Sequence, residues 1–161
     1  MPKLSEPTTK DREPVIRTMD AKDVDDIIDL AFDIPQFDTG TNSQKFFSKS
    51  TLSDMIQSED CVTLVAEKEK KVIGFIITSI LNASKDAYIH TLFVHVNNRH
   101  RGIGRKLVQR TLEILKQRPD HCNHVFGIVK VENEVAANLL EKEGFEIGTD
   151  FKYIDLMLPT H

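Results

Sequence analysis

The sequence predicts one α/β domain built on a mixed, mostly antiparallel central sheet flanked by helices. Three observations lead there. Segments of strand period and helix period alternate along the chain, with no internal repeat. Three consecutive strand-like runs are joined by short charged turns, which makes them hairpin neighbours. A nearly continuous apolar run, Tyr88 to Val96, then feeds directly into a glycine-containing turn and an amphipathic helix. With 161 residues, 40% of them apolar, the chain can bury one ordinary core and has no need of a second domain.

Taken in order, residues 1–14 hold three prolines, many charges and almost no apolar groups, so a flexible tail is expected there and the domain is expected over 15–161. Val15-Ile16-Arg17-Thr18 is a short β-branched first strand. Asp20 or Asp23 caps a helix with Val24, Ile27, Ile28 and Ala31 on one face and aspartates on another, running to about Phe32 before Pro35 stops it. The Asp-rich face is either solvated or an attraction for a cationic ligand. Ile34 to Thr51 reads as a loop with Phe37, Phe46 and Phe47 as core plugs or ligand contacts, and Thr51 as the cap of a second helix, Leu52 to Ser58, which could also begin at Phe46.

Strands are expected at Cys61–Glu67, Val72–Leu81 and Ala87–Val96, the last central and covered on both faces. A long helix follows to about Arg118, where Pro119 ends it. A strand at Val125–Val131, a helix at Asn133–Glu143 closed by Gly144, and strands at Phe145–Ile147 and Tyr153–Leu158 complete the order.

Composition excludes several classes. A net charge of −4 gives no ground for nucleic-acid binding. Cys61 and Cys122 have no metal-ligand spacing, so no metal is expected, and two thiols point to a reducing compartment. No apolar run has the length of a membrane span, and the N-terminus shows no apolar signal core; a cytoplasmic location is the expectation.

The chemistry is carried by the turn after the central strand. Gly102 and Gly104 stand at the start of the helix Ile103 to Arg118, with Arg99, His100, Arg101, Arg105 and Lys106 around them. A helix start leaves backbone N–H groups unpaired and carries partial positive charge, and glycine lets an anion approach that backbone. The spacing therefore describes a phosphate or pyrophosphate site, or else only a tight connection. It is neither a Rossmann loop, since Lys106 and Leu107 stand where a third glycine belongs, nor a Walker loop, which needs Gly-Lys-Ser/Thr.

Arg99-His100-Arg101-Gly102-Ile103-Gly104 resembles the Arg/Gln-x-x-Gly-x-Gly/Ala signature of the GNAT superfamily of acyl-CoA N-acyltransferases. Thr91-Leu92-Phe93-Val94-His95 looks like the strand before that signature. Asn133 to Phe145 looks like the family's second block, with Asn, Ala, Leu and a terminal Gly-Phe at matching spacings.

The resemblance implies the GNAT fold and acetyl-CoA as acyl donor. It implies a pyrophosphate cradle at His100, Arg101, Gly102, Ile103, Gly104 and Arg105, with Arg99 at the signature's first position. Leu92, Phe93 and Val94 would receive the pantetheine arm as an added strand, and the Val94 N–H would be the oxyanion donor. Asn133 matches the family asparagine near the cofactor and reads equally as a helix cap. Two departures stand out. Leu140 occupies the place of the tyrosine that protonates the leaving thiolate in many members, and Ile128 occupies that of a glutamate base in some.

His90, on the same strand four residues before Val94, is the candidate general base, because histidine has the right pKa range. A packed histidine with no chemical role is the competing reading. The expected activity is acetyl transfer to the primary amine of an unidentified acceptor by direct attack in a ternary complex. A non-catalytic acyl-CoA-binding or sensing module is the alternative. Family members are often dimers, so a homodimer is also expected.

Overall fold

Five strands lie side by side in chain order in a computed structural model of the chain, which describes residues 12–32, 34, 37, 40–41, 46–120 and 122–159. They are β1 (Val15–Thr18), β2 (Cys61–Lys68), β3 (Lys71–Leu81), β4 (Asp86–Val94) and β5 (His124–Gly127). The first four are antiparallel and β5 joins β4 in parallel, through α3. The helices are α1 (Val24–Ala31), α2 (Lys49–Gln57), α3 (Ile103–Gln117) and α4 (Glu134–Lys142). The mixed, mostly antiparallel sheet with flanking helices is thus as the sequence predicts. No helix among the described residues is long and apolar enough to cross a membrane.

Successive strand residues point to opposite faces, and the core divides accordingly. Leu64, Ala66, Ile76 and Ile80 pack with Ile103, Leu107, Val108 and Leu115 of α3. Val65, Phe75 and Ile77 pack on the other face with Val24, Ile27 and Ala31 of α1 and Leu52 of α2. Each fully buried leucine or phenylalanine here contributes about 1.5–3 kcal/mol. One polar device pins β1 to this core. Asp23 is 2% exposed and accepts from both terminal nitrogens of Arg17, at 2.7 and 2.8 Å, while Arg17 also reaches Glu67 on β2.

Several boundaries differ from the sequence reading. Ser48, not Thr51, caps α2: its hydroxyl accepts from the Thr51 N–H at 3.2 Å, and Lys49 in the first turn pairs with Asp25 of α1 at 2.6 Å. Asp20 caps a short 3-10 turn, Ala21–Asp23, and not α1 itself. β5 ends at Gly127, because its pairing with β4 ends there, and Ile128 beyond it is 66% exposed.

The strands expected at Phe145–Ile147 and Tyr153–Leu158 do not form; residues 145–159 have no regular structure. Phe145 is committed elsewhere. Its N–H returns to the Leu140 carbonyl at 3.1 Å while Gly144, at φ +95°, bonds back to Glu141, closing α4 in a Schellman motif. Further on, Phe151, Ile154, Leu156 and Leu158 are exposed; their apolar pattern suits a strand but meets no ladder partner among the described residues. Up to residue 11 the expected tail lies outside the described residues, as do Asp33, Pro35 and much of the loop before α2.

Candidate active site

The site begins where two parallel strands part. β4 and β5 pair from Asp86–His124 to Ile89–Gly127 and no further, although β4 runs on to Val94. Among the described residues, the far half of β4 therefore has a bare edge. The His95 N–H bonds the Ile73 carbonyl of β3 at 2.8 Å, so by strand alternation the main-chain groups of Val94 and Leu92 turn to that edge and those of Phe93 turn to β3. Because of this opening β4 is half-buried along most of its length, less covered than a central apolar strand is expected to be.

The bare edge leads into the turn. His95 caps a 3-10 turn, Val96–Asn98, its Nδ1 accepting from the Asn97 N–H at 3.3 Å. His100 and Gly102 take left-handed φ of 61° and 76°, and α3 starts at Ile103. The Lys106 N–H is bonded to Gly102. The amides of Ile103, Gly104 and Arg105 precede this bond, and no side chain among the described residues caps them. Gly104 is needed for close approach: a Cβ there would stand 2.9 Å from Leu139 Cδ1 of α4 and 3.7 Å from Val94 Cγ2 of β4.

Of the basic side chains around the turn, three are engaged in holding it. Arg99 Nε donates to the Val94 carbonyl at 2.8 Å, and its guanidinium lies 5.9 Å from the Phe93 ring centroid. Arg105 binds Glu143, the C-cap of α4, whose side chain is 8% exposed and also accepts from Gln109 at 3.1 Å. Lys106 pairs with Glu13 at 3.1 Å. His100 and Arg101 are exposed, and Arg101 lines a cleft of about 210 Å³ with Arg12, Lys68 and Asn98. Asn133 caps α4, its Oδ1 accepting from the Ala136 N–H at 3.3 Å.

His90 sits at a β-bulge. Ile77 pairs with Thr91, but the next residue, Thr78, pairs with Ile89, so His90 has no partner of its own on β3. Tyr88 and Thr91 face the α1–α2 side, opposite Ser79 and Ile77, and His90 turns the same way. Its Nε2 lies 2.8 Å from Ser79 Oγ. The imidazole meets Tyr88 and Phe47 edge-on, with ring centroids at 4.6 and 5.3 Å. Burial alone pushes the His90 pKa below its usual value. Burial, and then the nearby Tyr153, push Tyr88 up, so its phenol is neutral near pH 7. Tyr88 continues the aromatic wall to Phe126 of β5 at 5.1 Å.

The structure thus brings Val94, the Gly102–Arg105 amides and Arg99 to the C-terminal end of β4, while His90 stands at the middle of the strand. It divides the loop aromatics: Phe37 and Phe46 stack at 5.1 Å over the core, while Phe47 reaches His90. Leu140 packs on the α3-side core. Ser79 and Thr91 were not singled out by the sequence reading. The only signal for Ser79 is a hydroxyl breaking the apolar run of β3. Thr91 Oγ1 is buried with no hydrogen-bond partner among the described residues.

The sequence profile of the Acetyltransferase (GNAT) family matches residues 25–145. The chain belongs to the GNAT family. An uncharacterized N-acetyltransferase of Methanocaldococcus jannaschii is 29% identical over an alignment of 137 residues that covers 81% of this GNAT chain and 60% of that protein, so the chain spans less than two thirds of that relative's length. The PaiA N-acetyltransferase of Thermoplasma acidophilum, solved in complex with coenzyme A, superposes with a TM-score of 0.71 at 23% identity, over 88% of this chain and 95% of its own. A transcriptional regulator of Bacillus halodurans superposes at 0.73 with 17% identity, over 89% and 99%. At these identities the structures share the fold with this GNAT chain.

Proposed function

We propose that this GNAT chain, through the unit 15–161, transfers the acetyl group of acetyl-CoA to a primary amine by direct attack within a ternary complex. The observation that carries the reading is the bare β4 edge running into the uncapped amides of α3. In it the turn from His100 to Arg105 receives the pyrophosphate, chiefly through the N–H groups of Ile103, Gly104 and Arg105, with the exposed side chains of His100 and Arg101 beside it. Leu92 offers its main chain to the pantetheine arm, and Phe93, whose own main chain is paired with β3, stands beside it on β4. The Val94 N–H points toward the acyl oxygen. Arg99 fixes the end of the strand, and Asn133 acts by holding the start of α4.

The amine nitrogen attacks the thioester carbonyl carbon, forming the C–N bond. The carbonyl oxygen gains negative charge, which the Val94 N–H stabilises. The C–S bond then breaks and its electron pair leaves on sulfur, while His90 takes the proton that the amine sheds. A thiol pKa only about 1.5 units above neutrality makes the thiolate a tolerable leaving group, so Leu140 in place of a tyrosine is compatible with turnover. The two free thiols, Cys61 and Cys122, fit a cytoplasmic setting. A second copy of the chain is the proposed cover for the exposed apolar residues of the segment 145–159.

The test incubates the purified chain with acetyl-CoA and a mixed amine library, following thiol release and acetylated products by mass spectrometry. Amine-dependent CoA release supports the enzyme. Thermal stabilisation by acetyl-CoA with no transfer to any amine would instead select the binding or sensing module, which the departures at Leu140 and Ile128 leave open. Absence of both binding and transfer would end the acyl-CoA reading.

A further inference from the structure

We propose that Ser79 is the positioning residue for His90, occupying Nε2 so that the proton of the acceptor arrives at Nδ1. This rests on the reading of His90 as the base. Its ground is geometry. The bulge at His90 brings the imidazole beside Ser79 of the neighbouring strand, where Nε2 and Oγ stand 2.8 Å apart. Nδ1 makes no hydrogen bond to the described residues, so it is the nitrogen left for a ligand. Tyr88 and Phe47 hold the ring edge-on from two directions, and the hydrogen-bond pattern, not ring rotation, then selects the basic nitrogen.

A serine hydroxyl has one hydrogen to give and can accept in turn. For Nδ1 to take a proton, Nε2 must already carry one and donate it to Ser79 Oγ. The hydroxyl hydrogen must then point elsewhere, and Cys61 Sγ on β2 lies 3.8 Å away on the facing strand. This arrangement, Nε2–H to Ser79 Oγ and Ser79 O–H toward Cys61 Sγ, needs no rearrangement when Nδ1 is protonated, because the imidazolium keeps the same bond. The titratable groups around the ring are Tyr88 on β4, Cys61 on β2 and, beyond Tyr88, Tyr153. No charged side chain contributes to the downward shift of His90. The Ser79 oxygen is therefore the dipole among the described residues that supports the imidazolium.

The experiment has two arms. Nitrogen-15 spectra of the imidazole in the unmodified protein should show the Nε2–H tautomer; an Nδ1–H tautomer overturns the proposal whatever the variants do. In the second arm, Ser79→Ala should lower the plateau of kcat/KM about tenfold, the usual weight of a hydrogen bond to a charged group. It should also move the rising limb to lower pH, because the imidazolium loses its acceptor, and Ser79→Thr should restore both. An unchanged pH profile in an active Ser79→Ala protein also overturns it. His90→Ala separates the two ideas: undiminished transfer there removes the base reading itself, whereas lost transfer with an unaltered Ser79→Ala profile removes only the role of Ser79.

Discussion

Replacing Gly104 by alanine separates the packing of α4 from the chemistry of the turn. The added Cβ would lie 2.9 Å from Leu139 Cδ1. Carbon atoms rest at about 3.5–4.0 Å, so the end of Leu139 must retreat by roughly 0.5–1 Å. Crowding of this kind costs about 1–3 kcal/mol, offset by up to about 1 kcal/mol of helix propensity. The net loss is small, and the coupling is the informative quantity. Leu139→Ala alone should cost about 2 kcal/mol. In the Gly104→Ala background it should cost about 1 kcal/mol less, because it removes the atom that collides. Urea denaturation of the four proteins in the cycle measures this. Additivity within about 0.3 kcal/mol would refute the packing role. Titration calorimetry with CoA completes the test. Gly104→Ala retains the amide and should keep affinity within about tenfold, by the size of one hydrogen bond. Gly104→Glu should lose binding and also stability, since the position is buried.

Three further outcomes are expected. Burial alone would raise the Asp23 pKa, but the Arg17 bonds and the Asp20 amide outweigh it and hold the carboxyl below its usual range. Its stabilisation is then full above the unfolded value near 3.9 and is lost as pH falls through the folded one. Asp23→Asn should accordingly cost about 3 kcal/mol at pH 7, with a gap that narrows in acid; a gap constant with pH in denaturant titrations would contradict this. Arg99→Ala frees the Val94 carbonyl and should raise the KM for acetyl-CoA about tenfold with little change in kcat; steady-state kinetics with an unchanged KM would remove Arg99 from donor binding. Sedimentation equilibrium should show a dimer at micromolar concentration, and a monomer across that range would leave the segment 145–159 without its proposed cover.

The elements legible in the sequence were those whose signals are local. The 3.6-residue period of α3, the Asn133 cap and Gly144 stop of α4, and the charged turn between β2 and β3 each lie within a few residues of the structure they specify. The proposed donor side of the site was legible as structure for the same reason, since it is a strand, a turn and a helix start in succession. What escaped depends on partners distant in the chain. Nothing around His90 marks it as the extra residue, because a bulge is defined by Ile77 and Thr78 on the opposite strand. The Arg105 side chain reads as free to meet a phosphate until Glu143 is seen beside it. Tyr153 to Leu158 carries a strand's pattern, and a pattern cannot supply the neighbour that a strand requires.

The bulge has a consequence for how such a site can change. Tyr88, Thr91 and Phe93 lie on one side of β4, and Ala87, Ile89, Leu92 and Val94 on the other. That assignment would be the same in an unbroken ladder lacking position 90. The imidazole therefore occupies a slot the scaffold does not require, and the side chain there can be exchanged, or dropped, without re-threading the sheet around it.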